Sequence, residues 1–214
     1  MHSLLKHKKI LVLAPHTDDG ELGCGGMMAK ALEEYADVYY AAFSTAEESV
    51  SEDYPKNILE IEVKNATEKL GIKLDNLYVY HYTVRKLNYS RQEVLEDLIL
   101  LKEKIKPDIV FLPSSKDVHQ DHITITQEGI RAFKFCTILG YELIWNNLSF
   151  DTDCFIQIEE RHLEKKIAAL SEYKTQAYRN YMTPEFIRAQ AIVRGVQIGM
   201  KYAETFEVIR WIIY

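Results

Sequence analysis

The chain has 214 residues, of which 47% are hydrophobic and 27% charged, and its formal net charge is −6. This size suits one domain, residues 1–214, with a buried core, and the acidic balance excludes a polyanion-binding surface, so we expect no nucleic-acid partner. No apolar run reaches the ~18 residues that cross a bilayer, so we expect a cytoplasmic protein without a membrane span. The three cysteines are widely spaced, so we expect no disulfide framework. Homo-oligomerisation stays open.

In chain order, the first two thirds of the sequence alternate short apolar runs with longer amphipathic runs. Residues 9–14, KILVLA, are apolar on both faces, as a buried parallel strand requires. Gly71 and Pro107 stand where the second and third helices should end. The predicted elements are strands at 9–14, 37–43, 77–80 and 108–113 and helices at 21–35, 57–70 and 90–105.

The last third is less regular, although Pro184 suits the first turn of a helix. The predicted elements there are strands at 142–145, 154–158 and 204–213 and helices at 160–178 and 184–200. The repeated strand–helix alternation predicts an α/β fold with a mostly parallel sheet, right-handed crossovers and helices on both faces. We expect a single domain with an irregular C-terminal third.

Polar side chains directly follow the first and the fourth predicted strands. The first cluster is PHTDDGE at 15–21, and the second is SSKDVHQDH at 114–122. Ligands of open α/β sheets bind outside the carboxyl ends of the strands. If these two strands are neighbours in the sheet, the two clusters meet at one edge despite their separation in sequence.

The spacing within each cluster favours a shared metal ion. His16 and Asp19 are three residues apart, as are His119 and His122, and this spacing turns two side chains toward one point. Imidazole nitrogens and carboxylate oxygens are ordinary zinc ligands, and a catalytic zinc site takes three ligands and leaves a position for water. Because two such pairs follow two strands, a metal site is favoured over a helix cap and a surface histidine pair.

The glycines that follow the first cluster raise a nucleotide-binding alternative. Gly23 and Gly25 begin a Gly-x-Gly-x-x-Gly pattern, but Met28 stands where its third glycine belongs. We therefore expect these glycines to let a helix approach its neighbours closely. Cys24, which lies between them, is expected to be a buried small residue.

Residues 16–26, HTDDGELGCGG, resemble the opening motif of the PIG-L/LmbE-like N-acetylglucosaminyl deacetylases. Residues 119–122, HQDH, resemble the second motif of that family, His-x-Asp-His. Weaker similarities occur at 66–71, 173–176, 194–195 and 203–206, so the resemblance extends over most of the chain. It implies a Rossmann-like sheet and one zinc ion per chain, for which another divalent transition metal can substitute.

The resemblance implies a role for each matching residue. The metal ligands would be His16, Asp19 and His122. Asp18 would be the general base, His119 would assist the tetrahedral intermediate, and Asp121 would orient His119. Zinc would activate a water molecule that attacks an acetamide carbonyl, and the products would be acetate and an amino sugar.

Three positions depart from the pattern of the family. Thr17 replaces a proline. Gly20 shifts the usual acidic position to Glu21, and we give Glu21 no catalytic role. Residues 56–60 contain no counterpart of the arginine that holds substrate in this family. Contacts to the sugar or to a phosphate on its carrier are expected from residues just after the third predicted strand, with solvated loop positions as the alternative. These residues are Tyr82, Arg85 and Lys86.

The sequence thus predicts a zinc-dependent N-deacetylase for a small-molecule acetamido sugar or sugar conjugate. Two alternatives would use the same site. One is an amidase for another acetamide, such as a thiol conjugate, and the other is a metal-binding or sugar-binding module without turnover. Asp18 and His119, which a metal site does not need, argue against the module.

Overall fold

The computed structural model describes residues 4–213, so residues 1–3 and 214 of the predicted domain lie outside the described residues. No helix in the described part of the chain is long and apolar enough to span a membrane. The strands and helices are β1 (Lys9–His16), α1 (Asp19–Glu33), β2 (Asp37–Ser44), α2 (Ile58–Leu70), β3 (Leu77–Val79), α3 (Arg91–Ile105), β4 (Ile109–Pro113), α4 (Gln120–Ala132), β5 (Thr137–Tyr141), β6 (Cys154–Ile158), α5 (Glu160–Leu170), α6 (Pro184–Val196) and β7 (Tyr202–Arg210).

The described strands form one mixed sheet in the order β3-β2-β1-β4-β5-β7-β6. Strands β1 to β5 are parallel, and β7 runs antiparallel between β5 and β6. The predicted α/β fold with a mostly parallel sheet is confirmed. Because β1 lies between β2 and β4, the chain switches there from one half of the sheet to the other, and α/β sheets bind ligands at such a switch point.

Helices cover both faces of the sheet because side chains of each buried strand alternate between two apolar layers. Ile10 and Val12 of β1 belong to the layer formed with α1, α2, α5 and α6. Leu11 and Leu13 belong to the layer formed with α3 and α4. The carboxyl ends of β1 and β4 are left open between these layers, and the two polar clusters follow them.

Helix α1 is kinked at Cys24, where φ is −147°, and the glycines beside the kink bring it close to the sheet. A Cβ at Gly26 would lie 2.7 Å from Ile158, so the predicted close approach is confirmed. Glu204 of β7 accepts hydrogen bonds from the backbone N–H groups of Gly26 and Met27, at 3.0 and 2.6 Å. This carboxylate therefore caps the part of α1 that begins after the kink.

The structure departs from the predicted elements mainly after β4. Helix α4 has no counterpart among the predicted helices, and its first turn contains the end of the second polar cluster. The predicted strand at 142–145 is wrong, because β5 is Thr137–Tyr141 and residues 142–145 leave the sheet.

The predicted helix at 160–178 is also too long, since α5 ends at Leu170. Beyond it, the hydroxyl of Tyr173 donates to the carbonyl of Thr17 at 2.6 Å, and the hydroxyl of Thr175 donates to Glu62 at 2.7 Å. These bonds to the body of the protein draw the chain away from the helix axis. Residues 171–183 instead form a covering segment with two short helical turns beside the carboxyl edge of the sheet.

Candidate metal centre and cavity

Three side chains predicted as metal ligands converge at the carboxyl ends of β1 and β4. His16 is the last residue of β1, Asp19 is the first of α1, and His122 lies in the first turn of α4. The Oδ2 atom of Asp19 is 3.1 Å from His16 Nδ1 and 3.2 Å from His122 Nε2, and these nitrogens are 3.3 Å apart. Donors on one tetrahedral zinc, with bonds of about 2.0–2.1 Å, lie about 3.3 Å from one another, so this donor triangle fits such an ion.

His119 lies beside the donor triangle. Its ring centroid is 4.5 Å from that of His122 and 5.0 Å from that of His16. One nitrogen from each of the three histidines lies within 4.8 Å of the others, so the imidazoles also form a group that could hold a metal ion. The contacts at 3.1 and 3.2 Å make Asp19 a better match than His119 for the third donor of a single ion.

Two carboxylates determine which ring nitrogens face the donor triangle. Asp121 Oδ2 lies 3.0 Å from His16 Nε2, and Asp117 Oδ2 lies 2.8 Å from His122 Nδ1. Because a carboxylate accepts the outer ring N–H, the neutral form of each imidazole has its lone pair on the nitrogen that faces the triangle, where a metal ion would replace the second proton. Sequence reasoning did not assign Asp117, although a carboxylate close to a predicted histidine ligand was the available signal.

The carboxylate of Asp121 faces His16, whereas the backbone N–H of the same residue contacts His119, so the orientation of His119 by Asp121 stays a prediction. Asp121 is fully buried and also accepts the backbone N–H groups of Arg85 and Leu87, at 2.6 and 3.2 Å. These donors hold the carboxylate beside His16. His119 is instead held by the backbone N–H of Asp121, which donates to its Nδ1 at 3.1 Å, so the neutral ring carries its proton on Nε2.

The charges around the donor triangle stabilise positive charge at this position. Burial disfavours the charged form of both histidines, yet the negative charge of Asp19 raises the pKa of His16 to about 9 and that of His122 to about 10. Burial and the two neighbouring histidines lower the pKa of His119 to about 4, so this ring is neutral. Burial and the charge of Asp19 raise the pKa of Asp18 to about 6.

A cavity of about 340 Å³ opens beside the donor triangle, and Asp18 is part of its wall. Of the three residues predicted to contact substrate, Arg85 lines this cavity. The hydroxyl of Tyr82 instead donates to Asp97 of α3 at 2.5 Å. Lys86 is exposed and is not among the residues that line the cavity. Arg85 adopts the left-handed conformation, with φ of 64°, while its N–H is bonded to Asp121.

The remaining wall contains aromatic and basic residues that the sequence did not point to. They come from loops and from the covering segment, which had been predicted as helix in part, so their convergence depends on the tertiary structure. The rings of Trp145 and Tyr181 stack with centroids 3.8 Å apart and planes 11° apart. The residues of this wall are Tyr54, Trp145, Tyr178, Arg179 and Tyr181.

Comparison with known proteins gives matches over most of the chain. The model of a family described as GlcNAc-PI de-N-acetylase, PIG-L, matches residues 11–133. The chain is 30% identical over 188 residues to the uncharacterised deacetylase YaiS of Escherichia coli K12, a match that covers 82% of this chain and 95% of that protein. It is 27% identical over 221 residues to the diacetylchitobiose deacetylase of Thermococcus kodakarensis, covering 92% of this chain and 81% of that protein.

A solved structure shares the fold. The conserved protein TT1542 of Thermus thermophilus superimposes with a TM-score of 0.81 at 24% identity, over 97% of each chain. Because it covers 97% of this chain, the structural similarity extends beyond the segment matched by the family model.

Proposed function

Because the chain belongs to the PIG-L family of GlcNAc-PI de-N-acetylases, we propose that it is a zinc-dependent N-deacetylase for an N-acetylated amino sugar or sugar conjugate. The observation that carries this proposal is the donor triangle with Asp18 beside it in the wall of a cavity. From the sequence we retain the proposals of a single domain over residues 1–214 and a cytoplasmic location.

The donor atoms that would hold the metal are His16 Nδ1, Asp19 Oδ2 and His122 Nε2. Two imidazoles and one carboxylate suit zinc and would also accept iron or cobalt. A zinc ion in this place supplies a Lewis acid for the acetamide carbonyl and lowers the pKa of water from ~15.7 toward ~7. Asp121 and Asp117 position the two imidazoles through their outer nitrogens.

Asp18 has the position expected of a general base, because it lines the cavity next to the donor triangle without belonging to it. It would accept the proton of the attacking water and return a proton to the departing amine. The Nε2–H of His119 would donate a hydrogen bond to the oxygen that becomes negative as the acetamide carbon turns tetrahedral. The bond broken is the amide C–N bond, and the products are acetate and the free amine.

The cavity wall supports a sugar over a small aliphatic acetamide. Flat aromatic faces such as those of Trp145 and Tyr181 suit the apolar C–H face of a pyranose ring, while nearby polar groups suit its hydroxyls. A binding module without turnover would need neither a carboxylate beside the metal nor a neutral histidine with its N–H available.

The proposed function is tested by acetate release from the zinc-loaded protein. The panel contains N-acetylglucosamine, its 1-phosphate, its methyl glycoside and, as the non-sugar acetamide, N-acetylcysteine. We expect release from at least one sugar, loss of release with EDTA and recovery with zinc. Release from N-acetylcysteine alone would assign the site to an amidase for non-sugar acetamides. No release from any compound would contradict the proposed deacetylase activity.

A further inference from the structure

Arg179 is a half-buried arginine in the cavity wall that no part of the proposed reaction uses. The arginines of the neighbouring helix α6 are paired, Arg188 with two glutamates and Arg194 with Glu142. Arg179 forms no ion pair with any carboxylate in the described part of the chain. A cation that is partly removed from water and forms no ion pair favours an anionic ligand.

A series of hydrogen bonds fixes the position of this guanidinium. Glu62 of α2, only 3% exposed, accepts from the backbone N–H and the hydroxyl of Thr175, at 3.0 and 2.7 Å. The side-chain amide of Gln176 donates from Nε2 to the same hydroxyl at 3.1 Å, and its Oε1 atom accepts from Arg179 Nε at 2.6 Å. Nε is engaged in this bond, and the guanidinium also interacts with the hydroxyl of Tyr181. Two-point binding of a phosphate or carboxylate would therefore use the terminal nitrogens.

Aromatic rings restrict the guanidinium further. Its Cζ atom lies 5.2 Å from the ring centroid of Tyr178 and 5.6 Å from that of Tyr181, and Tyr181 stacks on Trp145. Contacts between a guanidinium and aromatic faces favour one orientation and exclude water from the charge. Less conformational entropy is then lost when an anion binds, so the group is preorganised.

The cavity wall carries charges of both signs. Asp18 and Asp19 line it beside the donor triangle, and Arg179 and Arg85 also line it, with Arg179 close enough to Asp18 to lower the pKa of that carboxyl. Arg85 is the more exposed of these two arginines, and its guanidinium reaches the hydroxyl of Ser49 at 3.4 Å. An acetamido sugar with an anionic substituent could place that substituent against Arg179 and its acetamide beside the donor triangle.

We propose that Arg179 determines specificity by binding an anionic oxygen group, a phosphate or a carboxylate, attached to the acetamido sugar. The proposal rests on the deacetylase function proposed above. It makes Arg179 a substrate-binding residue and predicts that the preferred substrate is a charged sugar conjugate and not a neutral glycan. Lysine at this position would keep the charge but lose the two-point geometry.

The test compares kcat and KM for three derivatives of N-acetylglucosamine: the neutral methyl glycoside, the 1-phosphate and the carboxymethyl glycoside. The parent enzyme should have a higher kcat/KM for at least one anionic compound than for the neutral one, and the two anionic compounds identify which group is bound. Arg179→Gln should lower kcat/KM for that compound roughly 10- to 100-fold, mainly through KM, and leave the neutral compound within about twofold. Arg179→Lys should recover part of the loss.

Arg188→Gln is the matched control, since it removes an arginine from the surface of α6, and it should leave both activities unchanged. Two results would overturn the role of Arg179. One is equal use of neutral and anionic compounds by the parent. The other is an equal fall in kcat for all compounds in Arg179→Gln, which would mean that the charge acts on Asp18, whose pKa it lowers. No acetate from any compound with the parent would instead reject the proposed function.

Discussion

Asp18 and Asp19 are adjacent in the sequence but occupy different places at the site. Asp19 accepts the backbone N–H of His16 at 2.8 Å with the same oxygen that belongs to the donor triangle. Asp18 precedes the first turn of α1 and lines the cavity. The three-residue spacing between His16 and Asp19 was enough to predict this division, because neighbouring side chains diverge where a helix begins.

Asp117 provides a test of ring orientation at the scale of one residue. Its carboxylate accepts from His122 Nδ1 and from the backbone N–H of His119, both at 2.8 Å. In Asp117→Asn, the amide can donate to Nδ1 and so favour the tautomer whose proton faces the donor triangle. We expect zinc affinity, measured by competition with a chelator, to fall roughly 10- to 100-fold.

The control for this variant is Asp151→Asn, which changes an exposed acid paired with Lys116 and should leave the zinc affinity unchanged. Zinc affinity of Asp117→Asn within about twofold of the parent would show that His122 does not depend on this carboxylate for its orientation.

At the scale of elements, the kinked helix α1 depends on strand β7. Glu204 accepts two backbone N–H groups after the kink, and its Oε1 atom also accepts from the buried Lys166 at 2.7 Å. Glu204→Gln removes the charge and one acceptor, which leaves the ammonium group unpaired in the interior. We expect a loss of about 3–5 kcal/mol in the free energy of unfolding and a fall in Tm of roughly 6–20 °C by calorimetry.

Lys166→Met combined with Glu204→Gln separates the two causes of this loss. If an unpaired buried charge is the main cost, the double variant should recover part of the stability that the single variant loses. A Tm for Glu204→Gln within about 2 °C of the parent would contradict the role of this carboxylate as a cap and counter-charge.

The elements of the parallel half were predictable because their hydrophobic pattern depends on local sequence. Strands buried on both faces and helices with one apolar face alternate clearly up to β4. Helix α4 was missed because its first turn contains polar residues of the candidate site. The end of α5 was missed because Tyr173 and Thr175 form bonds with residues that are distant in sequence.

At the scale of the whole molecule, the site joins two parts of the chain that are far apart in sequence. A metal ion held by the donor triangle would link β1 and α1 to α4, and an ion that binds the folded state stabilises it. Zinc at 100 times its Kd should add about 2.7 kcal/mol, which raises Tm by roughly 5–11 °C in a domain of this size. Calorimetry of the EDTA-treated protein with and without zinc measures the change.

His16→Ala and His122→Ala are the controls for this shift, because each removes one donor and should abolish both zinc binding and the response of Tm. A zinc-dependent rise in Tm that both variants retain in full would place the stabilising ion elsewhere.

The proposed metal ligands could be predicted from the sequence, whereas the residues of the cavity wall could not. His16 ends β1, Asp19 begins the helix after it, and His122 lies in the first turn of the helix after β4. The parallel topology brings the ends of β1 and β4 together. Arg179 and Trp145 reach the cavity through segments that have no periodic pattern. Their position follows from tertiary contacts such as the bonds of Glu62 to Thr175, which no local pattern of the sequence encodes.

The most direct test of the account is to measure zinc content and acetate release together in Asp18→Asn and Asp19→Asn. Asp18→Asn keeps the shape of the side chain and removes its basicity, so we expect zinc content close to that of the parent and a loss of turnover of roughly 10²–10⁴. Asp19→Asn should instead lose zinc, because it removes a charged donor from the triangle. If Asp18→Asn retains both zinc and nearly full turnover on a confirmed substrate, the proposed mechanism is wrong.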